Sequence, residues 1–178
     1  MRLKLKKMKI KGLKDECFQD YKKPAMYIAA ASCNFKCDKD NKCSVCQNSH
    51  LAESITIFTE LEYLIERYLE NPLTSAIVFS GLEPFDQIED ILDFTYLLRE
   101  VYKCDDDIVI YTGYTKEELE NEAGFIFNDK ISYQLLKKYK NIYVKFGRYY
   151  LGYEPHYDET LGVNLASPNQ YGEKISYE

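Results

Sequence analysis

The chain has 178 residues, which suffices for one domain with a buried core but not for two full-sized domains or a complete eight-unit barrel. Its 23 Lys and Arg against 29 Asp and Glu give a net charge of −6, which argues against a nucleic-acid-binding surface. No apolar run approaches the roughly 18 residues of a membrane helix, and lysines interrupt the N-terminus where a secretory signal has its apolar core. We expect a cytoplasmic single-domain protein with neither nucleic acid nor a membrane as partner.

Residues 1–25 are rich in lysine and alternate weakly between lysine and apolar side chains. This period of two predicts a charged N-terminal edge strand or hairpin, because lysine on an exposed edge discourages unwanted pairing. An apolar run of strand length follows at residues 26–31. Residues 59–62 have the form of a capping box, and apolar side chains then recur at helical spacing as far as Leu69. We therefore expect a strand and then an amphipathic helix.

The middle of the chain alternates between strand and helix patterns. Predicted strands cover residues 76–79, 108–111 and 142–146, and predicted helices cover residues 88–101 and 132–139. Residues 115–118 offer a second capping box. Since parallel neighbours need long return connections, this alternation predicts an α/β fold. We expect a βα core over residues 26–148, with a cysteine loop at 33–46, and an irregular C-terminal cover over 149–178.

Four of the six cysteines fall within fourteen residues of each other: Cys33, Cys37, Cys43 and Cys46. In a reducing compartment such a group is more typical of metal binding than of disulfides. Thiolates are soft ligands and favour zinc or iron-sulfur, and the spacing alone does not choose between the two. Cys17 and Cys104 are isolated in sequence and are interpreted as small buried or half-buried residues.

Unusual residues follow each predicted core strand in turn. They are the cysteine group, Gly81-Leu82-Glu83-Pro84, Thr112-Gly113, and Lys145 with Gly147-Arg148. Because the carboxyl ends of parallel strands open on the same edge, these four loops are expected to meet. A structural zinc site needs only its own four ligands, so the pattern favours a cluster together with a bound small molecule.

Each loop has a group suited to such a ligand. If three thiolates hold a [4Fe-4S] cube, its fourth iron is open to a chelating amine and carboxylate. Glu83 is then placed to accept from an ammonium group, while Gly81 permits close approach of the backbone and Pro84 stiffens the exit. Thr112 and Gly113 offer hydroxyl and amide contacts to a ribose or a carboxylate.

Taken in order, these motifs resemble the radical S-adenosylmethionine (SAM) superfamily, and specifically the activases of anaerobic ribonucleoside-triphosphate reductase. The resemblance is carried by Cys33-x3-Cys37, Val45-Cys46-Gln47-Asn48, Gly81-Leu82-Glu83-Pro84, the run Tyr-Thr-Gly-Tyr-Thr at 111–115 and Ala-Ser-Pro-Asn-Gln at 166–170. Two departures stand out. The spacing before the last cysteine is longer than the family's, and Leu82 stands where the family has glycine.

The resemblance implies a partial βα barrel of parallel strands, of the radical-SAM type, in a small single domain. It implies a [4Fe-4S] cluster held by Cys33, Cys37 and Cys46. The family places a bulky residue before its last cluster cysteine and an asparagine two residues after it, and Val45 and Asn48 satisfy that pattern around Cys46. The residues around Cys43 do not match either feature of that pattern, and Cys43 is the alternative third ligand.

The activity implied by the resemblance is reductive cleavage of SAM to methionine and a 5′-deoxyadenosyl radical. That radical takes a hydrogen atom from a glycine of the partner, an anaerobic glycyl-radical ribonucleotide reductase, and a low-potential donor such as flavodoxin or ferredoxin supplies the electrons. The SAM-binding residues implied or expected at the strand ends are Val45, Asn48, Gly81, Glu83, Pro84, Thr112 and Gly113.

Two other interpretations remain open. One is a compact radical-SAM enzyme that acts on a small molecule, although a short chain leaves little material to enclose a substrate. The other is a zinc-binding interaction module that uses Cys33, Cys37, Cys43 and Cys46. The zinc module requires Cys43 and gives no role to Glu83.

Overall fold

The computed structural model describes residues 6–121 and 127–177. Its strands are β1 (Lys7–Cys17), β2 (Ala25–Ala30), β3 (Ile57–Glu60), β4 (Ala76–Gly81), β5 (Asp107–Tyr111), β6 (Ile142–Phe146), β7 (His156–Asp158), β8 (Val163–Leu165) and β9 (Tyr171–Lys174). Its α-helices are α1 (Lys36–Asn41), α2 (His50–Glu53), α3 (Leu61–Leu69), α4 (Ile88–Tyr96), α5 (Lys116–Glu120) and α6 (Phe127–Leu136). A 3₁₀ turn (Pro84–Gln87) precedes α4, and a π turn (Leu97–Val101) extends it.

Seven strands form one sheet in the order β3-β1-β2-β4-β5-β6-β9. The central strands β2, β4, β5 and β6 are parallel, and antiparallel strands extend the sheet at both ends. The parallel strands lie side by side in chain order, so right-handed crossovers carry their helices to the same face. The expected α/β class with a mostly parallel sheet is therefore present. Within the described residues, the strand pairing gives an open order and does not close a barrel.

The two faces of the sheet are covered differently. The larger core joins one set of strand side chains to the apolar sides of α3, α4 and α6, with Phe79 and Phe94 meeting edge to face. The opposite face carries smaller strand residues such as Val78 and Val109 beneath Tyr21, Leu161 and Leu165. Helices thus pack on one face, which we call the outer face. The opposite, inner face is covered by the loop around Tyr21 and by the region of Leu161 and the β7–β8 hairpin.

The N-terminal segment forms a strand but does not occupy the predicted edge. β1 pairs with β2 on one side and with β3 on the other, and β3 is the outer strand. The predicted capping box at residues 59–62 is also wrong. Thr59 pairs with Met8 within the sheet, and α3 begins after Glu60 without a side-chain cap. Pairing of β3 with β1 therefore determines the conformation of Thr59, and the local helix-start pattern does not.

The C-terminal segment is more regular than the predicted irregular cover. β9 pairs antiparallel with β6 and completes the sheet, and β7 and β8 form a separate hairpin. These strands have three or four residues each, too few to show a period of two. No helix of the described residues has both the length and the apolar character needed to cross a bilayer.

Candidate functional site

The cysteine loop leaves the carboxyl end of β2 through a tight turn. Phe35 has a left-handed backbone (φ 54°) immediately before α1, and Lys42 has one (φ 56°) immediately after it. Cys33 lies before this turn, and its sulfur accepts a hydrogen bond from the Phe35 N–H at 3.2 Å. Cys37 lies in the first turn of α1. The two thiols of the Cys33-x3-Cys37 motif therefore flank one sharp reversal of the chain.

Asp38 closes the long spacing between Cys37 and Cys46. Its Oδ1 atom accepts the backbone N–H groups of Val45 and Cys46, each at 2.8 Å, and its carbonyl oxygen accepts from the Cys43 N–H at 3.2 Å. The extra residues form a closed loop, and Cys46 returns to the first turn of α1. Asp38 is not among the residues predicted for the site, and its one signal in the sequence is an acidic residue in the first turn of a helix.

The four loop thiols differ in exposure. Cys33, Cys37 and Cys46 are partly buried, whereas Cys43 is exposed. Burial raises the pKa of the Cys33 thiol to about 12, with smaller contributions from acidic neighbours and Cys37. Burial also raises the pKa of Cys46, opposed by a backbone hydrogen bond from Asn48, and Cys37 again adds to the rise. Cys37 therefore lies within electrostatic range of both other thiols.

Glu83 lies buried between the ends of β4 and β5. Its Oε1 accepts from the Phe85 N–H at 3.0 Å and from the Thr112 hydroxyl at 2.8 Å, and its Oε2 accepts from the Gly113 N–H at 2.8 Å. Burial raises the pKa of Glu83 to about 7, and the three hydrogen bonds act in the opposite direction. The carboxylate retains room for about one more donor.

Gly81 and Pro84 shape the turn that carries Glu83. Gly81 has φ 83°, and a Cβ there would lie 2.9 Å from the backbone of Ala29, so only glycine fits. Leu82 has no left-handed backbone conformation. Its side chain at the family's glycine position therefore needs no strained conformation. Pro84 opens the 3₁₀ turn, where its missing N–H costs no hydrogen bond.

Thr112 and Gly113 support Glu83 in this structure. Thr112 is buried, its hydroxyl donates to Glu83 and accepts from the Tyr114 N–H at 3.0 Å, and its own N–H bonds the Lys145 carbonyl at 2.9 Å. The Gly113 N–H is also directed to Glu83, so neither donor is free for a ribose or carboxylate. A Cβ at Gly113 would lie 3.5 Å from Glu83 Oε2 and 3.8 Å from the Cys37 sulfur. Gly113 thus separates the carboxylate from the thiol.

Two buried cations lie at the end of β6. Lys145 donates to the Gly147 carbonyl at 2.9 Å. Arg148 pairs with Glu118 at 2.6 Å and with Asp40 at 3.2 Å, which ties α5 to α1 across the site. Asn169 and Gln170, from the C-terminal motif, bond the carbonyls of Arg148 and Gly147. No role was predictable for Arg148, because its partners Asp40 and Glu118 are distant in sequence.

Some of these groups, namely Cys33, Cys37, Glu83, Gly113 and Arg148, meet in one small cleft. It is lined by Cys33, Asn34, Lys36, Cys37, Glu83, Gly113, Tyr114 and Arg148. Cys46, Val45 and Asn48 are not part of this lining and lie beyond Cys37 on the loop. A larger groove between α4 and α6 includes Leu92, Tyr96 and Leu135 but no thiol, and it lies away from the strand ends. We therefore place the site in the smaller cleft.

The donors available in the cysteine loop are thiols, which are soft ligands and suit an iron-sulfur cluster. No three Cys, His, Asp or Glu side chains among the described residues converge as ligands of one metal ion would. A cube binds each thiolate at a different iron, so its ligands stand farther apart than those of tetrahedral zinc. Cys33, Cys37 and Cys46 are partly buried and Cys43 is exposed, so three of the four loop thiols share the partly buried environment that a cube with one open iron requires of its ligands.

Comparison with known proteins gives one finding. A family model described as a 4Fe-4S single cluster domain matches residues 24–150, which is more than two thirds of the chain. No curated protein and no solved structure matches the chain. The matched segment includes all four loop cysteines, Glu83, Thr112 and Arg148. The chain belongs to the 4Fe-4S single cluster domain family.

Proposed function

We propose that the protein is a radical-SAM activase of an anaerobic glycyl-radical ribonucleotide reductase. The observation that carries this proposal is the cleft that Cys33 and Cys37 share with the buried carboxylate of Glu83. A cluster domain that only transfers electrons has no need of a desolvated carboxylate at the next strand end. A substrate with an ammonium group gives that carboxylate a partner.

Cys33, Cys37 and Cys46 are the residues that hold the cluster in this proposal. When bound, the cluster supplies one electron to SAM, which yields methionine and a 5′-deoxyadenosyl radical, and an external donor of the flavodoxin or ferredoxin class replaces that electron. Glu83 accepts a hydrogen bond from the SAM ammonium group, while Thr112 and Gly113 hold the carboxylate in place. A glycine of the reductase would supply the hydrogen atom that converts the 5′-deoxyadenosyl group to 5′-deoxyadenosine, and the reductase would retain the glycyl radical.

A turnover experiment tests the first half of this proposal. Protein reconstituted without oxygen, reduced with dithionite and mixed with SAM is expected to release 5′-deoxyadenosine and methionine in equal amounts. Glu83→Gln is expected to lower the rate at subsaturating SAM while retaining its iron and sulfide. A cluster-replete wild-type sample that forms no 5′-deoxyadenosine would contradict the proposal.

The partner is tested separately. Incubation with SAM, reductant and an anaerobic reductase is expected to give the electron paramagnetic resonance doublet of a glycyl radical on the reductase. SAM cleavage without that doublet, but with turnover of a small molecule, favours the compact small-molecule enzyme instead.

The zinc-binding module requires Cys43 as a ligand, whereas the proposed activase does not. The exposed Cys43 and the half-buried Cys46 predict that Cys43→Ala retains iron and sulfide, whereas Cys46→Ala loses them. Metal analysis of both variants after anaerobic reconstitution checks this. Equal dependence on all four cysteines, with one zinc per chain, would identify the interaction module.

A further inference from the structure

Lys145 is a buried ammonium without a carboxylate partner. Its residue is 7% exposed, and its Nζ makes one hydrogen bond, to the neutral carbonyl of Gly147. Among residues 6–121 and 127–177, none of the ion pairs involves it. The nearby Arg148 differs, because Asp40 and Glu118 compensate its charge. A buried cation without a counter-ion is costly unless an anion comes to lie beside it.

The groups that act on this ammonium lie in the candidate site. Burial lowers the pKa of Lys145 to about 8, while Glu83 and Cys37 act to raise it. The ring of Tyr111 lies 5.7 Å from Nζ and adds a weaker attraction. Glu83 already accepts three hydrogen bonds, from Phe85, Thr112 and Gly113, and has no ion pair with Lys145. The backbone also places Lys145 near Cys37. The Lys145 carbonyl accepts from the Thr112 N–H at 2.9 Å, and a Cβ on the next residue, Gly113, would lie 3.8 Å from the Cys37 sulfur. Of the two groups, Cys37 is the one that a cluster would hold as an anion.

Cluster binding makes that anion permanent, because iron binds thiolate and not thiol. The reduced cluster also carries one more negative charge than the oxidised cluster. A fixed, buried cation in range of a ligand thiolate stabilises the reduced state more than the oxidised state. We propose that Lys145 is the counter-charge of the iron-sulfur cluster and raises its reduction potential. Lys145 acts on the cluster through its charge and is not a ligand. The inference rests on the 4Fe-4S cluster of the family and does not require SAM cleavage.

The test measures the potential directly, in the absence of SAM. Wild-type protein, Lys145→Met and Lys145→Arg are reconstituted anaerobically, matched for iron and sulfide, and titrated while the reduced cluster is followed by electron paramagnetic resonance. At the wild-type midpoint, Lys145→Met is expected to lower the ratio of reduced to oxidised cluster about tenfold, equivalent to about 59 mV for one electron. Lys145→Arg keeps the charge and is expected to stay within about twofold of wild type.

Lys137→Met is the matched control. Lys137 is also a mostly buried lysine, with 14% of its side chain exposed, but it pairs with Glu120 away from the cleft. Its replacement is expected to leave the cluster potential unchanged. A general effect of losing a lysine would move both Met variants equally and would overturn the proposal.

A second readout separates charge from structure. Lys145→Met is expected to leave the cluster-free protein at least as resistant to denaturant as wild type, because it removes an uncompensated buried charge. If Lys145→Met fails to fold, Lys145→Gln takes its place in the titration. An unchanged potential in a cluster-replete Met or Gln variant overturns the proposal. A lowered potential in a protein that never cleaves SAM supports it and contradicts only the proposed activity.

Discussion

At the scale of single residues, Glu83 shows how the site holds an unfavourable group in place. Burial disfavours its charged form, and three donors on the backbone and Thr112 favour it. Two of these donors are backbone N–H groups, which cannot rotate away. Carboxylates kept in such balance are typical of functional sites, because a ligand cation can tip them to the charged form.

The balance at Glu83 predicts a pH dependence for the cluster-free protein. Its folded-state pKa, about 7, lies above its ordinary value of 4.5, so the folded state binds the proton more tightly. The favourable contribution is complete below pH 4.5 and is lost as pH rises toward 7. Relative to Glu83→Gln, wild type is expected to lose about 3 kcal/mol of unfolding free energy between pH 4.5 and 7. Urea unfolding at several pH values measures this slope.

Glu118→Gln is the control for that experiment. Arg148 and the Thr115 N–H counteract burial, and the pKa of Glu118 is lowered. Its favourable contribution is therefore present above its ordinary pKa and is lost only at more acidic pH. Between pH 5 and 7, the unfolding free energies of Glu118→Gln and wild type are expected to change in parallel with pH. A Glu83→Gln curve that also runs parallel to wild type would show that Glu83 has no raised pKa.

Gly81 allows conformational strain and steric overlap to be separated. Gly81 and Gly152 both have left-handed backbones, but a Cβ at Gly152 meets nothing within 4 Å, whereas one at Gly81 overlaps Ala29. Gly152→Ala is expected to cost about 1 kcal/mol of unfolding free energy. Gly81→Ala is expected to cost at least twice as much. If the two variants lose equal amounts of unfolding free energy, Ala29 can move aside and the steric overlap adds no destabilisation.

At the scale of elements, the cysteine loop depends on one carboxylate. Asp38 accepts two backbone N–H groups through a single oxygen. Asp38→Ala is expected to release the loop and speed the loss of iron to a chelator several-fold, while far-ultraviolet circular dichroism stays unchanged. Asp38→Asn keeps an oxygen acceptor, and its rate of iron loss is expected to lie between those of wild type and Asp38→Ala. Wild-type iron retention in Asp38→Ala would show that cluster ligation alone shapes the loop.

Two capping patterns show what sequence can and cannot settle at this scale. The box at Thr115 forms as predicted, with Glu118 bonding back to the Thr115 N–H. The similar pattern at Thr59 does not form, because β3 pairs with β1 there. The two patterns look alike locally, and only the distant partner strand distinguishes them. β9 escaped prediction for the same reason, since its stability comes from β6.

At the scale of the whole molecule, alternation of strands and helices sufficed to predict the parallel sheet and the meeting of its loops. The cleft brings together Cys33, Cys37, Glu83 and Gly113, all of which sequence reasoning placed at strand ends. The sequence pattern did not predict that Thr112 and Gly113 donate hydrogen bonds to Glu83, nor that Arg148 bridges α1 and α5. Such contacts depend on side-chain positions that no periodicity encodes.

The sheet and the loop are expected to respond differently to cluster removal. β4, β5 and β6 have apolar cores on both faces, whereas α1 has no buried residue. Chelation is expected to leave amide hydrogen exchange slow in these strands and to speed it in residues 33–49. Hydrogen exchange with mass spectrometry on loaded and stripped protein checks this. Loss of strand protection would mean that the cluster is required for the fold itself.

The cover of the inner sheet face is built from two distant parts of the chain. The Lys22 N–H bonds the Leu161 carbonyl at 2.7 Å, and Lys22 Nζ bonds the Thr160 carbonyl at 2.9 Å. During translation, residues near Lys22 leave the ribosome long before those near Leu161. The cysteine loop therefore emerges on a nascent chain whose inner sheet face is still uncovered, and this face is covered only after the residues near Leu161 have been synthesised.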